Sequence, residues 1–453
     1  MKKNYLFGMA LMASLAFFSC TNEVIYVHDG ESSEQVSDDQ IITLQVSNGG
    51  DGLTTRAGRP LYSSEAKQTI ENVRLWIFDN AGTLKYSTTL GSWNTASTEY
   101  GESNEHGREA KITLPGDKKL ETGAGKTYNV YAIGYHTSSN YTGIPSETGV
   151  TESQVKDVKL TYGGSDNAEE IFAGSLEIDL TSATSTAFKQ TIVLNRQVAG
   201  AFVYVEEIPF VTSNHKYLKL IASAKNSDIV LGNFANEEYT SNGANESTNV
   251  VNGTGTTAGD VVISCIDLNQ WFGETLSGSE GLINATSWKN PLRQSGNTPT
   301  FKKGSVFGGT FLIPFAKQST QTLKLVLSTS NAATSEEDDK VWNINLPTGD
   351  NQITESFALT TPSVADGSVN WSTATAASES AIVYSILRNH LYGVGKRTID
   401  NPGESGGGDP DPENPDPEKP DPDIDDPESL NNKQELTLRV NDNWEVIHGM
   451  ELE

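Results

Sequence analysis

The side chains that most often bind metals or act as nucleophiles are few in this 453-residue sequence, and they are widely spaced. No histidine stands at metal-ligand spacing from another histidine or from a cysteine. The six histidines are His28, His106, His136, His215, His390 and His448. The sequence also has no phosphate-binding loop and no recognisable catalytic constellation. We therefore predict no enzyme activity, no metal site and no cofactor.

The two cysteines lead to different predictions. Cys20 follows a charged start and an apolar stretch, which is the pattern of a lipoprotein signal peptide over residues 1–19 with Cys20 as the lipidated residue. A stricter lipobox has Leu where this chain has Phe17, and the alternative is a plain signal peptide with an incidental cysteine. Cys265 lies in a strand-like run and is predicted to be a small buried hydrophobe.

The bond between Arg56 and Ala57 is the predicted site of proteolytic processing. It lies beside a glycine-rich hinge, and such segments are exposed and open to proteases. The other nearby arginine, Arg59, precedes Pro60, whose ring hinders cleavage by an Arg-specific protease. We therefore predict that residues 20–56 form a propeptide and that the mature protein begins at Ala57.

The charge balance excludes several classes of partner. The chain has 32 basic and 59 acidic residues, which gives a formal charge of -27. Nucleic acid and anionic membrane surfaces repel such a chain. A polar sequence with 41 glycines and few helix-period stretches is typical of an all-β extracellular protein.

Strand-like runs recur along the chain between short turn signals. They lie at 73–78, 128–133, 157–160, 171–180, 198–205, 217–221, 261–268, 307–314, 323–327, 342–346 and 382–391. No internal repeat has the length of a propeller blade, so two consecutive β-sandwich domains fit better than a propeller or a barrel. We place these domains at 57–195 and 196–400.

The end of the chain is a strand on a tether. Residues 435–453, here called the donor strand, alternate apolar and polar side chains, which predicts a strand with one buried face. The apolar positions are Leu436, Leu438, Val440, Trp444, Val446, Met450 and Leu452. The preceding spacer, 401–434, holds eight of the chain's seventeen prolines and many carboxylates. It is predicted to be extended and solvated, and it lacks the ligand order of a calcium loop.

The chain resembles the fimbrillins, the subunits of Bacteroidales type V pili. The resemblance covers nearly the whole chain and rests on the order and spacing of short features. They are Cys20, Thr55-Arg56-Ala57, residues 77–82, 194–199 and 388–392, and Trp444-Glu445-Val446. It implies two transthyretin-like β-sandwich domains, a lipid-anchored precursor at the outer membrane and an Arg-specific protease. It also implies that mature copies join each other and related fimbrillins by strand exchange in a cell-surface fimbrium.

A short strand near the start supplies a mechanism for that implication. Residues 40–46, here called the plug strand, repeat the alternation of the donor strand, with Ile42, Leu44 and Val46 on one face. If the plug strand covers unpaired backbone groups in the precursor, cleavage after Arg56 frees it to leave. The donor strand of another subunit would then fill the groove. Each contact is head-to-tail and does not close, so the product is a filament.

The alternative function is that of a surface glycan-binding lipoprotein of β-sandwich type. In that case some of the tryptophans would form a platform for sugar rings. The tryptophans are Trp76, Trp93, Trp271, Trp288, Trp342, Trp371 and Trp444. This alternative gives no role to the alternating donor strand or to Arg56.

Overall fold

A computed structural model describes most of the chain between residues 40 and 395 and three short C-terminal pieces. The described ranges are 40–47, 69–100, 107–164, 167–183, 186–231, 251–279, 281–291, 301–315, 323–345, 359–365, 368–374, 386–395, 428–430, 446–449 and 451–452. Within them the chain is mostly β-strand, as predicted. The short helices are α1 (Trp93–Ala96), α2 (Glu152–Lys156) and α3 (Leu268–Phe272), with single 3-10 turns at Gly116–Lys118 and Ala285–Ser287. None of these helices is long and apolar enough to span a membrane.

The strands up to residue 196 form one large sheet and part of a small one. They are β1 (Gln40–Ser47), β2 (Asn72–Asp79), β3 (Leu84–Leu90), β4 (Thr98–Tyr100), β5 (Gly107–Thr113), β6 (Thr127–Tyr135), β7 (Tyr141–Thr142), β8 (Lys159–Tyr162), β9 (Phe172–Asp179) and β10 (Phe188–Arg196). The eight-stranded sheet has the order β3-β2-β6-β9-β10-β1-β5-β4. The plug strand is therefore an inner strand of this sheet.

The strands after residue 196 form two further large sheets, the rest of the small sheet and two separate two-stranded sheets. They are β11 (Ala199–Glu206), β12 (Tyr217–Lys225), β13 (Asp228–Val230), β14 (Gly253–Thr254), β15 (Thr257–Asp267), β16 (Gly278–Ser279), β17 (Leu282–Ile283), β18 (Val306–Leu312), β19 (Leu323–Ser328), β20 (Lys340–Asn345), β21 (Leu359–Ala365), β22 (Ser368–Ala374), β23 (His390–Val394), β24 (Glu428–Ser429), β25 (Val446–Gly449) and β26 (Glu451–Leu452). One sheet has the order β18-β11-β23-β25, and the other has the order β15-β12-β19-β20-β26.

The turn between β2 and β3 shows how local sequence sets the first sheet. The Asp79 carboxylate accepts hydrogen bonds from the backbone N–H groups of Ala81 (3.0 Å) and Thr83 (2.9 Å). Gly82 has φ 74°, a backbone conformation that glycine adopts without strain. Residues 79–82 thus form a turn, which makes β2 and β3 antiparallel neighbours.

Side-chain alternation divides the buried residues of the first sheet between two cores. Val73 and Leu75 of β2 belong to a cluster that also holds residues of β1, β5, β6, β9 and β10, here called the first core. Trp76 and Phe78 point the other way, into a cluster with Leu160 of β8 that we call the junction core. Because both faces of β2 are covered, its sequence is a nearly continuous apolar run. A second core lies between the two later sheets.

The two halves of the chain are joined by more than the short link at residues 197–198. β8 pairs antiparallel with β13, in a small sheet of order β14-β13-β8-β7. Two motifs that carried the fimbrillin resemblance also meet here. Arg196 pairs with Glu170 at 2.8 Å with both side chains buried, and Arg388 donates to Gln197 at 3.1 Å. The predicted boundary between 195 and 196 thus falls at the end of β10, inside a buried polar network.

The end of the predicted spacer is part of the second core. β24 pairs with the last residues of β11, and the backbone N–H of Leu430 donates to Glu206 O at 3.1 Å. Leu430 itself is buried. The prediction of a solvated spacer through residue 434 is therefore wrong at Leu430, because this apolar side chain, which follows the last proline, packs in the second core.

Candidate functional site: the β1 groove

β1 fills a gap of one strand's width between β10 and β5. It runs parallel to β10, with Gln40 opposite Phe188. It runs antiparallel to β5, with Ile42 opposite Ile112. Both edges of β1 are therefore paired along its length. We call the gap that it occupies the β1 groove, whose walls are β10 and β5.

The inward face of β1 completes the first core. Ile42 and Leu44 are fully buried, whereas Ile41 and Thr43 on the other face are half-buried. Buried residues of the walls and neighbouring strands join them in the same cluster. They include Ala110, Ile112, Phe188, Ile192 and Leu194. Full burial of a side chain of this size contributes about 1.5–3 kcal/mol, so the groove favours an apolar occupant.

Gln40, at the start of β1, is held by three hydrogen bonds. Its side-chain amide donates to Leu120 O and to Thr186 O, both at 2.8 Å. Its side-chain oxygen accepts from Leu120 N at 2.5 Å. The side chain is fully buried together with Leu120, whereas Thr186 is half-buried. A buried polar group that loses its partner is costly, and Gln40 is therefore a specific requirement of the groove.

Tyr128 fixes the loop that binds Gln40. Its hydroxyl donates to Glu121 O and accepts from Glu121 N, both at 3.0 Å. Burial raises the pKa of the Tyr128 hydroxyl above its ordinary value, while the bond to the Glu121 backbone opposes this shift. The hydroxyl therefore remains a neutral donor over the physiological pH range, and the neighbouring Leu120 backbone groups stay aimed at the groove.

Removing the Tyr128 hydroxyl tests this support. We expect Tyr128→Phe to lower the free energy of unfolding by about 0.5–1.5 kcal/mol, because the backbone N–H and C=O of Glu121 lose their hydrogen bonds to the Tyr128 hydroxyl. Denaturant unfolding of the uncleaved chain measures the change. Tyr86→Phe on β3 is the control, since the Tyr86 hydroxyl has no hydrogen-bond partner among the described residues. Equal stability of the two variants would contradict the role given to Tyr128.

Several residues of the predicted site lie outside the described ranges. They are the lipidation residue Cys20, the cleavage residues Arg56 and Ala57, and Leu436, Leu438, Val440, Trp444 and Met450 of the donor strand. For Val46, Val446 and Leu452 the structure gives the backbone position. Val46 pairs with Leu194, and the other two lie in β25 and β26.

The last residues of the donor strand pair within their own chain. β25 is parallel to β23, with Val446 opposite His390. β26 is antiparallel to β20, with Leu452 opposite Ile344. We expected the spacer to keep the whole donor strand away from its own domains. The single chain instead uses its last residues to cover one edge of each later sheet, since an unpaired edge attracts a strand.

The described residues contain no cluster of side chains that could hold a metal ion.

The prediction that Cys265 is buried is wrong, because its side chain is exposed on β15. The cause is a register shift that places both Ile263 and Ile266 inward, which breaks the simple alternation. Trp76, Trp93 and Trp271 are buried and Trp288 and Trp342 are half-buried, so none of these five forms an exposed platform.

The sequence reasoning missed two features of the site. Gln40 is the first residue of the predicted plug strand, but nothing in the sequence marks its side chain as a buried hydrogen-bonding group. The sequence reasoning also did not identify β5 and β10 as the walls, because neither strand has a long apolar run. The alternation of buried and exposed residues in β10 was a usable signal.

Comparison with known proteins gives the family. A family model described as fimbrillin-A associated anchor proteins Mfa1 and Mfa2 matches residues 39–277, which is more than half of the chain. A fimbrial assembly protein from Parabacteroides distasonis is 12% identical, over 74% of this chain and 96% of that one, with a TM-score of 0.34. The fimbrial anchor protein Mfa2 from Porphyromonas gingivalis is 10% identical, over 77% and 99%, with a TM-score of 0.29. No curated protein matches the sequence. On the family match, this chain belongs to the fimbrillin-A associated family of Mfa1 and Mfa2.

Proposed function

We propose that this chain is a polymerising subunit of a cell-surface fimbrium. In this proposal the chain is exported as a precursor lipidated at Cys20 and held at the outer membrane by that lipid. An Arg-specific protease then cuts after Arg56. The mature subunits join head-to-tail, because the donor strand of one subunit enters the β1 groove of the next.

One observation carries the proposal: β1 is an inner strand of the first sheet, yet it lies upstream of Arg56. A cut after Arg56 breaks its covalent link to the rest of the domain and leaves it held by sheet hydrogen bonds and core contacts alone. An ordinary first strand has no reason to be separable from its sheet. A strand that is exchanged for another must be separable from it.

The departure of β1 would create two unpaired sheet edges and open the first core. The edges are those of β10 and β5, which pair with β1 over seven positions each. Exposed edges of this length invite another strand, which supplies main-chain hydrogen bonds and side chains for the core. The even-numbered face of the donor strand has seven apolar residues, whereas that of the plug strand has three. It therefore has more apolar surface to bury than the strand that it replaces.

Processing and assembly can be tested together. We expect the purified chain to form filaments visible by electron microscopy after treatment with an Arg-specific protease, and N-terminal sequencing should give Ala57. Arg56→Ala should remain a folded monomer under the same treatment. Arg59→Ala is the matched control and should assemble like the parent, because Pro60 already hinders cleavage after Arg59.

The same experiment separates a polymerising subunit from an anchor. Filaments whose subunits begin at Cys20 or Thr21 would contradict cleavage after Arg56. Treated protein that binds the tail of another subunit but never extends a filament would show a fimbrial anchor instead.

A further inference from the structure

The residues just before and within the donor strand repeat β1 position by position. Placing Gln434 on Gln40 without a gap aligns residues 434–440 with residues 40–46. The four identical pairs are Gln40 and Gln434, Thr43 and Thr437, Leu44 and Leu438, and Val46 and Val440. At the remaining inward position Leu436 stands for Ile42. The differences fall on the other face, where Glu435 and Arg439 stand for Ile41 and Gln45.

The chemistry of the Gln40 position explains why a glutamine recurs. When β1 leaves, the N–H and C=O of Leu120 and the C=O of Thr186 lose their partner. Any occupant that buries them again must donate two hydrogen bonds and accept one. A glutamine amide does both from one side chain, whereas a carboxylate cannot donate and an ammonium cannot accept.

We propose that Gln434 is the residue that fixes the register of the incoming donor strand, by taking the hydrogen bonds of Gln40 in the next subunit. This inference rests on the proposed function. It places the donor strand parallel to β10 and antiparallel to β5, as β1 is. Leu436, Leu438 and Val440 then enter the first core. The functional donor begins one residue earlier than the apolar alternation indicates.

Other registers fail at the same position. A shift by one residue puts Lys433 or Glu435 into the buried amide site and turns the apolar face outward. A shift by two residues puts Leu436 there, which leaves the buried N–H and C=O of Leu120 without an amide partner. The opposite shift by two puts Gln434 in the apolar site of Ile42. Only the register with Gln434 on Gln40 satisfies both the polar end and the apolar length of the groove.

The anchoring of Leu430 favours a groove in another copy. Leu430 is buried in the second core at the end of β11, whereas Gln40 is buried at the edge of the first core. Four residues of extended chain span at most about 14 Å. Since Leu430 is held in the second core and the Gln40 site belongs to the first core, we take the partner of Gln434 to be a second copy.

Two single substitutions at neighbouring positions test the role of the Gln434 side-chain amide. In the Arg-protease-treated full chain, Gln434→Glu keeps the size of the side chain but removes both donors, and we expect assembly to slow by about 10- to 100-fold. Glu435→Gln makes the reverse change at the next position, on the outward face, and should alter the rate less than about threefold. Equal rates for the two variants would overturn the role of Gln434.

Disulfide trapping tests the register directly. In the proposed register Thr437 takes the place of Thr43, which faces Lys111 of β5. Two preparations, both processed and carrying Cys265→Ser, are mixed: one carries Thr437→Cys and the other carries Lys111→Cys. We expect a disulfide between copies, because antiparallel partners lie within disulfide distance. Glu109→Cys, two positions away on β5, is the matched control and should not form the bond.

The outcomes separate this inference from the proposed function. A bond at position 109 in place of 111 would overturn the register and leave donor-strand exchange intact. Filaments with no bond at either position would overturn both. A bond at 111 together with a slow Gln434→Glu variant is the expected result.

Discussion

Replacing Leu44 with Asp in the uncleaved chain is expected to expel β1 and to start assembly without a protease. Leu44 is fully buried in the first core. The substitution removes its apolar contacts and puts an unpaired carboxylate in their place. Together these changes cost roughly 4–5 kcal/mol. β1 precedes a hinge, so it can leave its sheet while the other strands keep their pairing. The open groove then accepts the donor strand of another uncleaved copy.

Thr43→Asp is the matched control for this prediction. It introduces the same charge at the neighbouring position, whose side chain is only half-buried on the opposite face of β1. Size-exclusion chromatography and limited proteolysis of residues 40–47 measure the effect. Leu44→Asp should give oligomers and a protease-sensitive β1, whereas Thr43→Asp should remain monomeric and resistant. A Leu44→Asp chain as monomeric and resistant as the parent would show that β1 does not hold the groove closed.

The fold class was predictable because alternation is a local property of a sequence. The runs at 73–78 and 128–133 became β2 and β6, since each combines β-rich composition with clear turn signals. The run at 157–160 was only partly right. Asp157 is the C-cap of α2, with its backbone N–H bonded to Ser153 O, so the strand begins only at Lys159.

The contacts between distant parts of the chain were not predictable. Nothing local to Gln40 indicates that its amide meets Leu120 and Thr186, which are brought there by the pairing of β1 with β5 and β10. The same holds for Arg196 and Glu170. Their motif was recognisable, but its role in the buried network at the junction needed the fold. Pairing of remote strands is set by tertiary packing, which periodicity does not encode.

The sequence therefore predicts only part of the site. The inward residues Ile42 and Leu44 follow from alternation, and their burial needs no more than one covered face. The position of β1 inside the sheet does not follow, because an edge strand and an inner strand can share one pattern. That position is what gives the proposed cleavage after Arg56 a consequence, since cleavage downstream of an inner strand would leave a gap and not merely a shorter edge.

Leu438→Asp in the processed chain is expected to abolish filament formation and to leave the subunit folded. In the proposed register Leu438 occupies the place of Leu44, so the variant would bury a charge in the first core of the next subunit. A loss of roughly 4 kcal/mol in the contact corresponds to about a thousandfold weaker joining. The subunit itself should be unaffected, because in the proposed register Leu438 packs into another copy and not into its own domains.

The opposite face of the same strand gives the control. Thr437→Asp adds the same charge next to Leu438, at the position equivalent to half-buried Thr43, and should reduce assembly far less. Electron microscopy and sedimentation measure the filaments, and denaturant unfolding of the monomers checks the fold. If both variants assemble equally well, the donor strand does not present its even-numbered face to a core. If both fail equally, the strand is bound without a preferred face. Either result would contradict the register in which Leu438 replaces Leu44.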